Sequence, residues 1–112
     1  MTARFHTTPP ANGMVTVTAV GEIDLATAGQ FRDTLAHAGT DHDRLAIDLT
    51  AVDYLDSSGI RVLFQVVSSH TLEVFVQRGG VPAVALEVPG LVDVVTIRHP
   101  STDTAEQGSM RP

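Results

Sequence analysis

Cysteine and lysine are both absent from this chain of 112 residues, and so is tryptophan. Without cysteine there is no disulfide framework, no thiolate metal site and no thiol nucleophile. Without lysine there is no phosphate-binding loop ending in Gly-Lys-Ser/Thr, no Schiff-base lysine and no protein-kinase strand lysine. Cation is scarce altogether: seven arginines stand against thirteen acidic residues, for a formal net charge of -6. Such a surface repels phosphate backbones and anionic lipid, so neither nucleic acid nor a membrane is an expected partner. No apolar run approaches the roughly 18 residues of a membrane helix, and the N-terminal MTARFHTTPP has no signal-length apolar core. The expectation is a soluble, cytoplasmic protein.

What remains is a chain that is 43% hydrophobic but only 4% aromatic. That is enough to build one core, of Val, Leu, Ile and Ala, in the usual size range of a single domain. Arg4–Thr8 reads as an extended segment, followed by the turn formers Pro9, Pro10, Asn12 and Gly13. In MVTVTAV, Val15, Val17 and Ala19 alternate with Thr16 and Thr18, the period of a strand, so the two segments should form a hairpin. Leu25, Ala28, Phe31, Leu35 and Ala38 then recur at helical spacing up to Gly39.

Leu45–Leu49 predicts a short strand and Ile60, Leu63, Phe64 and Val67 a second helix beginning near Ser58. Thr71–Val76 predicts a strand broken by Gly79-Gly80. Pro82 to Pro89-Gly90 predicts a short helix, and Val92–Ile97 a last strand. The alternation of strand and helix argues for parallel crossovers in one α/β sheet of about five strands with three main helices, made mixed by the opening hairpin. Residues 1–99 form this domain, and the polar, aperiodic residues 100–112 read as a loose tail.

Sites in such sheets gather beyond the carboxyl ends of the parallel strands. GEID (Gly21–Asp24) leaves the second strand and LDSSG (Leu55–Gly59) the third, so Asp24 and the Ser57–Ser58 pair should emerge on one edge. Asp56 or Ser57 is a natural N-cap for the helix that follows, and this alone would account for the motif. No Glu or Gln sits three residues after either serine, so a capping box is absent. The same hydroxyls could instead accept a phosphate, since a helix N-terminus tolerates that charge without unfolding.

Hydrolase chemistry finds little here: there is no G-x-S-x-G elbow, and the five histidines fall in predicted ends or loops. A magnesium-dependent phospho-aspartate receiver built on Asp48, Asp53 and Asp56 would need a lysine. Asp41, His42 and Asp43 read as a solvated turn rather than a metal site, and Gly79-Gly80 as a strand-to-helix turn rather than an anion nest. No cofactor is expected.

GEIDLATA (Gly21–Ala28), LDSSGIRVL (Leu55–Leu63) and VPAVALEVPGLVDVV (Val81–Val95), in that order, resemble the STAS domains of bacterial anti-sigma factor antagonists. The resemblance implies a non-enzymatic module that, unphosphorylated, binds an anti-sigma factor that is also a serine kinase of histidine-kinase-like ATPase fold, thereby freeing a sigma factor. It implies phosphorylation at Ser57, which ends that binding, and a phosphatase that restores it. Asp56, Ser58 and Gly59 would support the phosphosite, with Gly59 allowing close approach of the partner. Glu22, Asp24, Ser57, Ser58, Ile60 and Arg61 would meet it. One departure is visible: family members carry a further helical turn after Gly59, whereas here the helix runs through Ser68, Ser69 and His70 straight into Thr71. A STAS scaffold binding a small nucleotide-like ligand at the same sheet edge, without kinase switching, is the alternative.

Overall fold

Valine and leucine rows from adjacent strands meet on one face of a five-stranded sheet, and this face organises the molecule. The computed structural model describes residues 2–99; the segment expected as a tail, 100–112, lies outside the described residues. Along the chain run β1 (Ala3–Ala11), β2 (Met14–Ile23), α1 (Ala28–Ala38), β3 (Arg44–Leu55), α2 (Ser57–Val67), β4 (Thr71–Phe75), α3 (Val81–Ala85) and β5 (Val95–Arg98). The strands lie in sequence order, β1-β2-β3-β4-β5. β1 is antiparallel to β2, and the other pairs are parallel. The mixed, mostly parallel sheet with three helices and an opening hairpin is therefore the architecture expected from the alternation.

Register explains the core. Val15, Leu45, Leu72 and Val95 stand side by side across four strands, as do Val17, Ile47, Val74 and Ile97. Strand residues of one parity share a face, and these two rows, with Phe31 and Leu35 of α1 and Leu63 of α2, form the buried cluster, Ile97 packing half-buried at its edge. Phe5 of β1 stacks on Phe31 with ring centroids 5.6 Å apart, fastening the edge strand to α1. The opposite parity is polar: Glu73 there pairs with Arg98 at 3.3 Å and with Arg44 at 3.9 Å.

Several boundaries differ from the sequence expectation, each for a local reason. β1 continues through Pro9 and Pro10, because it is an edge strand and its register shifts between Thr8 and Ala11; prolines are tolerated there. The turn itself is only Asn12-Gly13, both with positive φ (54° and 76°), as a two-residue hairpin loop demands. β3 runs to Leu55 rather than Leu49. It spends 12 residues alongside the 10 of β2, with register shifts between Thr18 and Val20 and between Gly21 and Glu22. At the first, Asp48 Oδ1 accepts from the Thr50 amide (2.9 Å) and hydroxyl (2.6 Å).

Leu25, read as the first core position of α1, precedes the helix and is 82% exposed. Val92 and Val94 are likewise exposed, in a turn held by Leu91, and β5 begins only at Val95. Phe64 of α2 is 37% exposed, outside the apolar stripe it was assigned to.

α2 ends at Val67, and a histidine ties that end to its neighbour. His70 Nε2 lies 2.9 Å from the Gly39 carbonyl at the end of α1, while its Nδ1 lies 2.9 Å from Ser69 Oγ. A carbonyl only accepts, so Nε2 carries a proton and donates to it. The Thr71 amide then donates to Asp43 O (2.8 Å) and β4 begins. Asp41 (φ 68°) and the His42 amide, bonded to Gly39 O, form the turn after α1, and Gly79 (φ 77°) with Gly80 forms the strand-to-helix turn before α3. No helix among the described residues is long and apolar enough to cross a membrane.

Two substitutions test this packing. A Cβ on Gly59 would collide with Leu55 Cδ1 and stand 2.8 Å from Ile23 Cγ2, both in the core. Gly59→Ala should therefore destabilise by about 1–2 kcal/mol, overpacking outweighing the roughly 1 kcal/mol that alanine gains in a helix. A urea midpoint at or above that of the parent would refute this. His70→Ala should lower the unfolding free energy by about 1 kcal/mol through loss of the bond to Gly39, read from the same urea curves, with an unaltered far-ultraviolet dichroism spectrum.

Candidate functional site

Two loops meet at one end of the sheet because β2 and β3 stay paired to their last residues. Ile23 stands beside Leu55, and the Asp56 amide donates to the Ile23 carbonyl (3.2 Å). Asp24 and Asp56 are thus the first residues off adjacent strands, on the shared edge expected from the topology.

Asp24 shapes its own turn. Its Oδ1 accepts from the amides of Ala26 (3.0 Å) and Thr27 (3.2 Å), and its amide donates to Thr27 Oγ1 (3.0 Å). The buried Thr27 hydroxyl donates to the Glu22 carbonyl (2.8 Å). Glu22 is held through its backbone as well, its amide donating to Thr2 O (3.0 Å), while its Oε1 is buried with no hydrogen-bond partner among the described residues.

Asp56 is the N-cap of α2: its backbone is extended, and its Oδ1 accepts from the Ser58 amide at 2.8 Å. The two readings of the motif fall on different residues. Asp56 does the capping, which leaves Ser57, the first helical residue, exposed with no hydrogen bond to its hydroxyl among the described residues. Ser58 is half-buried behind it. Gly59 and Ile60 turn inward instead. Glycine is required at 59 by the packing of Ile23 and Leu55 rather than by a partner's approach, and Ile60, at 6% exposure, belongs to the core and not to a contact surface. Both lie on the inner face of α2, a face that Leu63 also defines.

Beside the serines opens a cleft of about 340 Å³ between α1 and α2. Ser57, Ser58, Arg61 and Gln65 line it from α2; Arg32 lines it from α1 and Leu25 from the turn before α1. Ser57, Arg61 and Gln65 follow at four-residue intervals, so they share one helix face. Leu25 and Arg32 were not among the expected site residues. Arg32 is four residues after Ala28, a spacing that places it on a predictable face of α1. What the sequence does not reveal is that α2 lies against that face.

Among the described residues no group of three or more metal-ligating side chains converges, and no histidine hydrogen-bonds Ser57 or Ser58. His70 is held by Ser69 and Gly39, and His99 Nδ1 lies 3.2 Å from the Val76 carbonyl. The cleft therefore offers exposed hydroxyls, two guanidinium groups and one exposed leucine.

No curated protein sequence matches this chain significantly. Among solved structures, an anti-sigma factor antagonist from Mycobacterium paratuberculosis is similar over 96% of this chain and 93% of its own, at 23% identity and a TM-score of 0.79. SpoIIAA, an anti-sigma factor antagonist, is similar in its unphosphorylated form (12% identity, 97% of this chain and 100% of that one, TM-score 0.61). The Bacillus cell fate determinant SpoIIAA in its phosphorylated form is similar at 13% identity, over 93% of this chain and 99% of that one, with a TM-score of 0.62. At such identities these likenesses are likenesses of fold. The sequence pattern of the STAS domain matches residues 7–99, most of the chain, and the protein belongs to the STAS domain family.

Proposed function

We propose that this STAS domain is an anti-sigma factor antagonist of the bacterial cytoplasm. Unphosphorylated, it binds an anti-sigma factor that is also a serine kinase, and phosphorylation of Ser57 ends the complex. One observation carries the assignment of the residue: Asp56 satisfies the helix cap, so the exposed Ser57 hydroxyl has no structural duty to lose. Support for the role comes from the family and from the similarity in fold to anti-sigma factor antagonists, one of them solved in both unphosphorylated and phosphorylated forms.

The domain supplies the acceptor and the partner supplies the catalysis. The γ-phosphoryl group of ATP passes to Ser57 Oγ. An Oγ–P bond forms as the bond between the γ-phosphorus and the ADP oxygen breaks, and the hydroxyl proton goes to a base of the kinase. Hydrolysis by a phosphatase reverses the state. The phosphate adds roughly -1.5 to -2 charge at the first residue of a helix, where the local field favours anions. The helix is preserved while the surface around Ser57 becomes more negative. Glu22, Asp24, Ser58 and Arg61 form the partner contact on this reading, Ser58 and Arg61 lining the same cleft as Ser57, with Leu25 as an apolar anchor. Asp56 and Gly59 act beneath it by fixing the start of α2.

Incubation with the cognate kinase and ATP should add one phosphate per chain, and Ser57→Ala should accept none; intact-mass and peptide mass spectrometry read both. Phosphate found chiefly on another residue would overturn the assignment of Ser57. Ser57→Asp should bind the kinase at least about tenfold more weakly than the parent in calorimetry, a loss of roughly 1.4 kcal/mol or more. Binding of Ser57→Asp as tight as that of the parent would overturn the charge-switch mechanism.

A further inference from the structure

We infer that Arg61 and Arg32 form a phosphate clamp that captures the phosphoryl group on Ser57 within the α1–α2 cleft; the inference rests on the Ser57 switch proposed above and names how its phosphorylated state is held. Arg61 lies one helical turn beyond Ser57 on the same face, and both residues line the cleft. Arg32 lines the opposite wall from α1. In a chain of net charge -6 without a single lysine, two guanidinium groups in one small cleft beside an exposed serine are a marked concentration of cation.

Neither arginine is committed elsewhere. No carboxylate among the described residues lies within ion-pair distance of Arg61. Arg32 meets only its neighbour Asp33, through one 3.5 Å contact between exposed side chains. Arg44 and Arg98, by contrast, are both engaged with Glu73 on the other face of the sheet. Of the carboxylates nearest the serine, Asp56 Oδ1 is occupied by the Ser58 amide and Asp24 Oδ1 by the amides of Ala26 and Thr27. Their charges would still repel a phosphate dianion, and cations on its far side offset that repulsion. A guanidinium presents paired N–H donors that match phosphate oxygens, which a point charge does not.

The consequence concerns how the switch works. A phosphate held by Arg61 and Arg32 occupies the cleft and withdraws both cations from any partner that used them. Phosphorylation then closes a docking groove as well as adding charge.

The test uses the full chain with phosphoserine placed at position 57 by genetic encoding, so no kinase takes part. Phosphorus-31 NMR follows the second ionisation of the phosphate, ordinarily near pH 6. Cations within reach favour the dianion, so the midpoint should rise by about half a unit in Arg61→Gln and further in the Arg61→Gln/Arg32→Gln pair. Arg78→Gln, outside the cleft, should leave it unchanged. In parallel, the thermal midpoint gained on phosphorylation should shrink in the paired variant, while the unphosphorylated forms melt alike. Identical titration midpoints in all four proteins would overturn the clamp. An arginine-dependent midpoint in a chain that its cognate kinase leaves unmodified at Ser57 would instead support the anion site and overturn the kinase switch.

Discussion

Everything at the functional edge depends on the parallel pairing of β2 with β3 being carried to the last residue of each strand. The two strands enter with Met14 beside Arg44 and leave with Ile23 beside Leu55. Had the pairing ended at Thr18 and Asp48, where the register first shifts, the loops that follow would be free to separate. Instead β3 takes up two extra residues, and the Asp56 amide still finds the Ile23 carbonyl. This single backbone bond places the start of α2 against the turn that leads into α1. Gly59 completes the placement from below, since only a residue without a side chain lets the first turn of α2 settle on Ile23 and Leu55.

With the loops fixed, each aspartate organises one of them and neither needs a serine to do so. Asp24 and Thr27 close the turn before α1 through reciprocal backbone bonds, and Asp56 caps α2. A capping side chain contributes about 1 kcal/mol, so a serine that capped the helix would tie any chemistry on its hydroxyl to the stability of the domain. Here the two demands are separated by one residue. The site can be modified while the scaffold beneath it keeps its hydrogen bonds.

The overall architecture was legible because the relevant signals are periodic and local. Val15, Val17 and Ala19 alternate as strand residues do, and Ala28, Phe31, Leu35 and Ala38 mark a helix face that the structure buries throughout. The second half of β3 was not legible for a definite reason. Its buried residues on the core face are Leu45, Ile47, Leu49, Val52 and Leu55, with Ala46 buried on the opposite face, so the spacing on the core face changes from two to three where the bulges fall. A period-2 reading stops at Leu49. Leu25, Ile60 and Arg32 illustrate a different limit. An apolar residue next to a helix start looks like core in one dimension, and Ile60, beside the proposed phosphoacceptor, reads as contact surface although its helical spacing with Leu63 already marks it as core. Whether Leu25 is exposed, and whether Arg32 shares a cleft with Arg61, depends on how α1 and α2 pack against each other, which no local pattern encodes.

The absence of lysine acquires a physical meaning once the cleft is considered. A net charge of -6 makes the bulk of this surface unattractive to an acidic partner and to a phosphate alike. Most described arginines lie outside the cleft, two of them sharing the single carboxylate of Glu73 on the polar sheet face. Among the described residues Arg61 makes no ion pair and Arg32 only one long contact with Asp33, so both guanidinium groups stay available beside Ser57. Adding two negative charges to an already acidic region would change its field by a fraction. On the switch proposed for Ser57, adding them beside Arg61 and Arg32 would offset both cations of that cleft, at a point where screening by salt acts over about 8 Å and contact distances are shorter than that. On that proposal, what a partner meets at this edge is set by where the arginines stand relative to Ser57 rather than by the total charge of the domain.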